Sequence, residues 1–248
     1  MDMNTSLNRR TALGMAAGAL ILESGMARAA DPPRGPLVVE LFTSQGCSSC
    51  PPADRLLGEL ATRADIVALS FHVNYWDQLG WKDPFASEGT TARQHGYARS
   101  QARSQIYTPQ MMVNGVVHSP GSTRDSLTEL LAAGAKANPL RLQPVLSAAP
   151  DNGAVLALPA FADARDDHDI WLVTYDSNHV TEVLRGENRG ARLVNRNVVR
   201  GIERLTTWRG GAQSWTLPPN ERSRAVLVQR RDFGPIIGAA RLERGESS

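Results

Sequence analysis

The sequence predicts an α/β domain followed by a small all-β, sandwich-like domain. In the first half, the apolar segments 37–42 and 66–73 alternate with segments of helical spacing, as in βαβ units. In the second half, short apolar runs are separated by turn sequences such as Asp151-Asn152-Gly153, which is typical of antiparallel sheets. Because the pattern changes near residue 140, we predict an α/β domain at residues 35–138 and an all-β domain at residues 140–248.

The N-terminal residues have the pattern of an export signal. Asn8-Arg9-Arg10 precedes an apolar run of small residues, and Ala27-Arg28-Ala29 is a small-x-small cleavage site. We therefore predict a signal peptide at residues 1–29 and a periplasmic or secreted protein. The paired arginines are typical of the twin-arginine route, but Ala12 stands where an apolar aromatic residue is usual, so the general secretory route stays open. The apolar run is too short for stable membrane insertion.

The charge balance argues against polyanionic partners. Lysine and arginine number 27 and aspartate and glutamate 25, for a formal net charge of +2. Nucleic acids and anionic membrane surfaces are bound by strongly basic proteins or patches. We therefore predict neither nucleic-acid binding nor membrane binding, and the sequence makes no prediction about oligomeric state.

Both cysteines of the chain lie in the turn after the first predicted strand, as Cys47-Ser48-Ser49-Cys50. Two cysteines three residues apart can close a small disulfide loop, and a following helix N-terminus favours the thiolate form. We predict that Cys47, expected to lie nearer solvent, attacks a disulfide and that Cys50 resolves the mixed disulfide. Two alternatives are a structural disulfide and a pair of ligands to a soft metal. Since one Cys-x-x-Cys supplies only half of a zinc site, we predict no metal.

The next two elements continue the βαβ pattern. Because Pro51 disfavours a helical conformation at Cys50, the first helix is predicted to begin at Pro52, with Leu56, Leu57 and Leu60 on its apolar face. The strand that follows is apolar almost without interruption, as expected of a central strand that is buried on both faces.

An aromatic and acidic loop follows this strand. In an α/β unit it leaves the same sheet edge as the cysteine turn. Trp76 is a candidate for gripping an apolar or unfolded substrate, and His72 and Asp77 are candidates for assisting proton transfer. Local packing explains Trp76 at least as well, and a lone histidine on a strand is more often a hydrogen-bonded core residue, an alternative that applies to Asp77 as well.

The remaining elements of the first half are a helix, a hairpin and a second helix. The polar segment 87–101 is predicted to be helical, and Asn114-Gly115 between apolar runs predicts a type I′ hairpin turn. Pro109 opens the strand before this turn, where a missing N–H is tolerated and a cis bond is favoured. The segment 122–125 is predicted to cap the final helix, which continues to residue 137.

This order of elements, with Cys-x-x-Cys at the first strand–helix turn and Thr-Pro opening the third strand, resembles the thioredoxin fold. The resemblance implies that Cys47 is the nucleophile and Cys50 the resolving cysteine. It also implies that Pro109 is a cis-proline beside the sulfurs and that Thr108 offers its backbone to a bound peptide. No separate cofactor is implied, because the redox-active disulfide is itself the reactive group.

Longer stretches are more specific. Residues 40–54, 71–77 and 107–110 resemble an exported, thioredoxin-like bacterial family known only as domain of unknown function 1223. The likeness covers nearly all of the mature chain. The chain departs from thioredoxin itself in having Ser48-Ser49 in place of Gly-Pro and no tryptophan before Cys47. The family description implies no reaction.

The sequence thus predicts an exported thiol-disulfide oxidoreductase that acts on a protein or small-thiol substrate. The alternative is a non-catalytic thioredoxin-like binding module whose cysteine pair is a structural disulfide or a copper site. A polar cluster in the second half could face the cysteine turn, although alternating strand exposure explains it equally well. Its members are Glu187, Asn188, Arg189, Arg192, Asn195, Arg196 and Asn197.

Overall fold

The computed structural model describes residues 35–162 and 166–244, and all of these residues fall in one compact unit. The predicted signal peptide at residues 1–29 lies outside the described residues. None of the helices in the described ranges is both long enough and apolar enough to span a membrane.

Strands outnumber helices in the described part of the chain. The helices are α1 (Pro51–Ala61), α2 (Glu88–Ser100) and α3 (Arg124–Ala137), with a short 3-10 helix at Asp77–Leu79. The strands of the first half are β1 (Leu37–Thr43), β2 (Ile66–His72), β3 (Gln110–Val113) and β4 (Val117–Ser119). Those of the second half are β5 (Val145–Ala148), β6 (Ala154–Leu158), β7 (His168–Glu182), β8 (Arg192–Trp208), β9 (Gln213–Leu217), β10 (Ser223–Arg230) and β11 (Ile236–Leu242).

The sheets show that the predicted fold class, an α/β thioredoxin-like domain followed by a small all-β domain, is wrong. Eight strands form one mixed sheet in the order β11-β10-β7-β8-β2-β1-β3-β4. A second sheet has three strands in the order β5-β6-β9. Four strands of the second half therefore extend the sheet that the first half begins, instead of building a separate domain.

The junction between the two halves lies at β2. This strand is buried along its whole length, as its apolar sequence predicts. It pairs in parallel with β1 on one edge and with β8 on the other, where Ser70 faces Val198. An apolar pattern predicts that a strand is central but does not identify its neighbours. The fold prediction failed because the second edge of β2 belongs to a strand more than a hundred residues away.

Successive side chains of the large sheet point to opposite faces and therefore belong to two core layers. On one face, Val38 and Phe42 pack with Phe71 and with Tyr97 of α2. On the other face, Leu41 and its neighbours pack against α1 and α3. A third apolar cluster joins β7 and β10 to the three-stranded sheet. Strand residues i and i+2 share a face, which is why one short strand contributes to two layers.

A buried ionic network ties β1, α2 and β10 together; we call it the core cluster, and it consists of Glu40, Arg93, Tyr97 and Gln229. The Arg93 guanidinium and the Tyr97 hydroxyl donate to the two carboxylate oxygens of Glu40. Arg93 also donates to Tyr97 Oη at 3.0 Å and to Gln229 Oε1 at 3.2 Å. Aromatic rings surround the guanidinium, including that of Trp171 at 5.4 Å. The charges of this cluster are thus paired inside the core.

Two local predictions need correction. Helix α1 begins at Pro51, and Cys50 is its N-cap residue with φ −80° and ψ −35°, so the prediction that Pro51 keeps Cys50 out of a helical conformation is wrong. The Cys50 carbonyl accepts the N–H groups of Ala53 and Asp54, which stabilises this conformation against the bias of the following proline.

The predicted hairpin is present, but its loop is longer than a two-residue turn. Val113 pairs with Val117, so three residues, 114–116, form the loop. Asn114 and Gly115 have positive φ values of 51° and 71°. Asn and Gly are the residues that adopt this conformation at least cost, so the sequence signal locates the turn correctly.

Candidate functional site

The cysteine turn, residues 44–50, connects the carboxyl end of β1 to the start of α1. Cys47 and Cys50 form a disulfide, with Sγ atoms 2.24 Å apart and Cα atoms 5.4 Å apart. Both cysteines are 0% exposed, whereas Ser48 and Ser49 between them are exposed. The expectation that Cys47 lies nearer solvent than Cys50 is therefore not met.

Trp76 connects the Thr-Pro segment to the cysteine turn. The Thr108–Pro109 peptide bond is cis and immediately precedes β3. The half-buried Trp76 donates from Nε1 to Thr108 Oγ1 at 2.8 Å. On its other side, Trp76 lies so close to Gly46 that a Cβ on this glycine would be 3.3 Å from Trp76 Cβ. A side chain at position 46 would therefore be packed tightly against Trp76, next to Cys47.

His72 lies at the end of β2 and is fully buried. Its Nδ1 is 2.7 Å from Oδ2 of Asp83, and the same oxygen accepts the backbone N–H of Gln45 at 2.8 Å. Although burial alone would raise the pKa of Asp83, His72 and the N–H groups of Gln45 and Phe85 lower it overall. Asp83 therefore joins His72 to the residues that precede Cys47.

Asp77 contacts this arrangement indirectly, through Asp83. Its Oδ1 accepts the backbone N–H of Asp83 at 3.1 Å, and burial raises the pKa of its carboxyl. Of the three auxiliary residues that the sequence predicts, Trp76 and His72 are linked by contacts to the cysteine turn, and Asp77 supports Asp83.

Asp54 is the site residue that the sequence prediction missed. It lies in the first turn of α1, four residues after Cys50, and residues four apart lie on the same face of a helix. Burial raises the pKa of Asp54 to about 6, against the opposing charge of His72. The Thr43 hydroxyl also opposes this rise, although it lies outside hydrogen-bond geometry. The spacing of an acid four residues after a Cys-x-x-Cys was the signal available in the sequence.

Three buried polar atoms behind the disulfide have no hydrogen-bond partner: Thr43 Oγ1, Asp54 Oδ1 and His72 Nε2. Thr43 and His72 are directly paired on β1 and β2. We call Thr43, Asp54, His72 and Asp83 the disulfide cluster. Buried polar groups are nearly always paired in folded proteins, so a group of unpaired atoms next to a disulfide marks a chemically unusual site.

The second half of the chain also reaches the cysteine turn. Asn188 donates from Nδ2 to the carbonyls of Gln45 and Cys47, each at 2.9 Å. Glu187 Oε2 accepts the Ser48 hydroxyl at 2.7 Å and the Ser48 backbone N–H at 3.2 Å. These two hydrogen bonds lower the pKa of the Glu187 carboxyl. Two members of the polar cluster, Glu187 and Asn188, therefore bind backbone groups of the turn directly.

Gln45 connects the turn to the base of the same hairpin. Its Nε2 donates to Thr181 Oγ1 at 2.9 Å and to Asn195 Oδ1 at 3.1 Å, and its Oε1 accepts Trp81 Nε1 at 3.2 Å. Other members of the polar cluster lie elsewhere: Asn197 donates to the Ala68 carbonyl of β2. The cluster is therefore divided between the turn and the sheet.

The arrangement can support thiol-disulfide chemistry. A disulfide stands at a helix N-terminus, where a thiolate is favoured, and a carboxyl that titrates near pH 6 lies one turn behind it. Among residues 35–162 and 166–244, no group of three or more His, Cys, Asp or Glu side chains is placed to hold a metal ion. Copper binding by the cysteines would require their reduction, and it stays a prediction.

Comparison with known proteins identifies the family. The model of a family described as a protein of unknown function, DUF1223, matches residues 38–229. A crystal structure of a protein from Agrobacterium tumefaciens is 30% identical, with a TM-score of 0.75, over 87% of this chain and 97% of that chain. No curated protein matches. The chain therefore belongs to the DUF1223 family of proteins of unknown function.

Proposed function

We propose that this protein is a thiol-disulfide oxidoreductase that acts outside the cytoplasm on a protein or small-thiol partner. The observation that carries the proposal is the Cys47–Cys50 disulfide at the N-terminus of α1, with Asp54 one helical turn behind it, a buried carboxyl whose Oδ1 has no hydrogen-bond partner. Thr108 and Pro109, next to Trp76, would contact the partner chain.

In the reducing direction, the Cys47 thiolate attacks one sulfur of a substrate disulfide. A Cys47–substrate bond forms, the substrate S–S bond breaks, and one substrate sulfur leaves as a thiolate. Cys50 then passes its thiol proton to the Asp54 carboxylate and attacks Cys47, which re-forms the Cys47–Cys50 bond and releases the second substrate thiolate. Two electrons pass to the substrate, and each leaving thiolate takes a proton. Because Asp54 titrates at about 6, it can accept and release a proton near neutral pH.

The short loop weakens a purely structural explanation of the disulfide. The two cysteines are three residues apart, so the bridge closes a loop of four residues. In the chain-entropy model such a loop stabilises the fold by about 2 kcal/mol, less than the bridges of long loops. A position at a helix N-terminus, by contrast, directly favours thiolate chemistry.

Burial supports a second candidate function, a non-catalytic binding module with a static disulfide. Both cysteines are 0% exposed, and buried cysteines are usually inert. The two functions differ in whether Cys47 reacts with a partner in the folded protein, and that difference can be measured.

The test is a trapping experiment with Cys50→Ser. This variant, incubated with glutathione disulfide or a disulfide-bonded peptide, should accumulate a mixed disulfide that intact-mass spectrometry detects. Cys47→Ser is the matched control and should trap much less, because Cys50 lacks the attacking role. Redox equilibration of the wild type with glutathione is measured in parallel.

If neither variant traps a partner and the wild-type disulfide does not equilibrate with glutathione, the oxidoreductase proposal is wrong and the disulfide is static. Copper analysis of the reduced protein covers the remaining alternative. Stoichiometric copper that is lost in Cys47→Ser would favour a copper-binding module.

A further inference from the structure

We infer that the end of the β7–β8 hairpin, residues 184–190, is an autoinhibitory cover that occupies the place of a substrate chain on the cysteine turn. We call these residues the cover segment. The inference rests on the proposed function, because a covered disulfide matters for activity only if it exchanges with a partner.

Access to the sulfurs is the first step of the argument. Thiol-disulfide exchange requires that a thiolate reach one sulfur of the bridge. Cys47 and Cys50 are both 0% exposed, although the two serines between them are exposed. A partner therefore cannot reach either sulfur until a neighbouring segment moves.

The cover segment binds several polar groups of the cysteine turn. Asn188 binds the carbonyls of Gln45 and Cys47, and Glu187 binds the N–H and hydroxyl of Ser48. Extended peptides are commonly recognised through main-chain hydrogen bonds, as at the edges of sheets, so free N–H and C=O groups beside a disulfide would suit a substrate backbone. The protein thus uses its own side chains where a substrate backbone would otherwise bind.

The cover segment is held mainly by the hydrogen bonds of Glu187 and Asn188 and by the packing of Gly186 against Trp81. Its one large apolar side chain, Leu184, is 68% exposed, so no apolar side chain anchors it. The bonds of Glu187 are exposed, and exposed polar contacts stabilise folded proteins only weakly. Gly186 and Gly190 have φ values of 75° and 82° and allow the backbone to change conformation at both ends of the Glu187–Asn188 pair.

The base of the hairpin, in contrast, is firmly attached. Val183 is 1% exposed, and Thr181 and Asn195 hold the side chain of Gln45. Local opening is expected where buried apolar contacts are few, so the cover segment can leave the turn while the base stays in place.

The test measures how fast a small reductant opens the disulfide. The oxidised full-length protein and its Glu187→Ala/Asn188→Ala variant are exposed to tris(carboxyethyl)phosphine, and new thiols are alkylated and counted by mass. Loss of these hydrogen bonds should accelerate reduction about tenfold. The matched control is Glu182→Ala/Arg192→Ala, which removes an exposed ion pair of 3.5 Å on the same hairpin. The control should reduce at the wild-type rate.

A wild-type reduction rate in the cover variant would overturn the inference, and so would an equal acceleration in the control, which would indicate general loosening of the hairpin. The single variant Glu187→Gln, which keeps the side-chain volume, should show a smaller acceleration if the double variant folds poorly. The reductant takes the place of the biological partner in this test. Faster reduction of the cover variant, together with no mixed disulfide in Cys50→Ser, would therefore contradict only the proposed function. Trapping without acceleration would contradict only the cover.

Discussion

Two buried polar clusters of this protein differ in how far their groups are paired. In the core cluster, Arg93 neutralises Glu40, and one buried side-chain atom, Arg93 Nη1, lacks a hydrogen-bond partner. In the disulfide cluster, a hydrogen-bonded pair of His72 and Asp83 stands beside a third titratable group, Asp54, and three buried atoms lack partners.

We relate this difference to a structural role for the core cluster and to the proposed chemical role for the disulfide cluster. An ion pair in a protein core is tolerated when its charges and hydrogen bonds are satisfied, as they largely are around Arg93. A carboxyl that is buried without a full set of partners keeps a raised pKa, as Asp54 does. The core cluster therefore joins three elements of the fold, whereas the disulfide cluster keeps a buried carboxyl with a raised pKa at some cost in stability, as the proposed proton transfer requires.

Breaking the core cluster should have the largest effect. Arg93→Met leaves the Glu40 carboxylate buried without its cation, and removing one partner of a buried ion pair costs about 3–5 kcal/mol. Urea unfolding of the variant should report this loss in the free energy of unfolding. The double variant Glu40→Gln/Arg93→Met should recover part of it, because no charge is then left unpaired. A loss below about 1 kcal/mol in the single variant would show that the pair is not essential to the core.

Removing the Asp54 carboxylate from the disulfide cluster should have the opposite effect and increase the free energy of unfolding. The pKa of Asp54 rises from 3.8 to about 6 on folding. Between these pH values the unfolded chain releases the proton while the folded protein keeps it, so the stability of the fold decreases as pH rises from about 4 to about 6. Since one pKa unit corresponds to about 1.4 kcal/mol, Asp54→Asn should stabilise the protein by up to roughly 3 kcal/mol above pH 6.

Thermal or urea unfolding across this pH range measures the effect. Asp54→Asn and the wild type should have similar stability near pH 4 and diverge above it. Asp125→Asn is the control, because Asp125 is an exposed acid in the first turn of α3. A pH profile of Asp54→Asn that parallels the wild type would show that Asp54 does not carry the raised pKa.

Removal of the disulfide should have the smallest effect of the three. Cys47→Ser/Cys50→Ser opens a loop of four residues, and the chain-entropy model gives a loss of about 2 kcal/mol in the free energy of unfolding. Ser49→Ala is the control within the same turn, because it keeps the disulfide and removes only the 3.3 Å contact between the Ser49 hydroxyl and Cys47 Sγ. A loss well above 3 kcal/mol would favour the static structural disulfide over the redox site.

The local features of the site could be predicted from the sequence, but the contacts between distant segments that form the site could not. The cysteine spacing, the turn at Asn114-Gly115 and the buried strand β2 follow from residue type and periodicity, which act over a few residues. The contacts of Glu187 and Asn188 with the turn join residues about 140 positions apart. Hydrophobic pattern and turn chemistry do not specify such pairings, because they arise from the order of strands in the sheet.

The sequence by itself determined where the main helices and most of the strands lie and that two cysteines flank a helix start, because these depend on periodicity, turn residues and helix-capping chemistry. Only the tertiary structure decided that β8 pairs with β2 and makes one large sheet of both halves. It also decided that the β7–β8 hairpin contacts the cysteine turn and that Asp54, His72 and both cysteines are buried. Burial and long-range pairing depend on how the whole chain packs, and they set the pKa and the accessibility of the groups that would carry the chemistry.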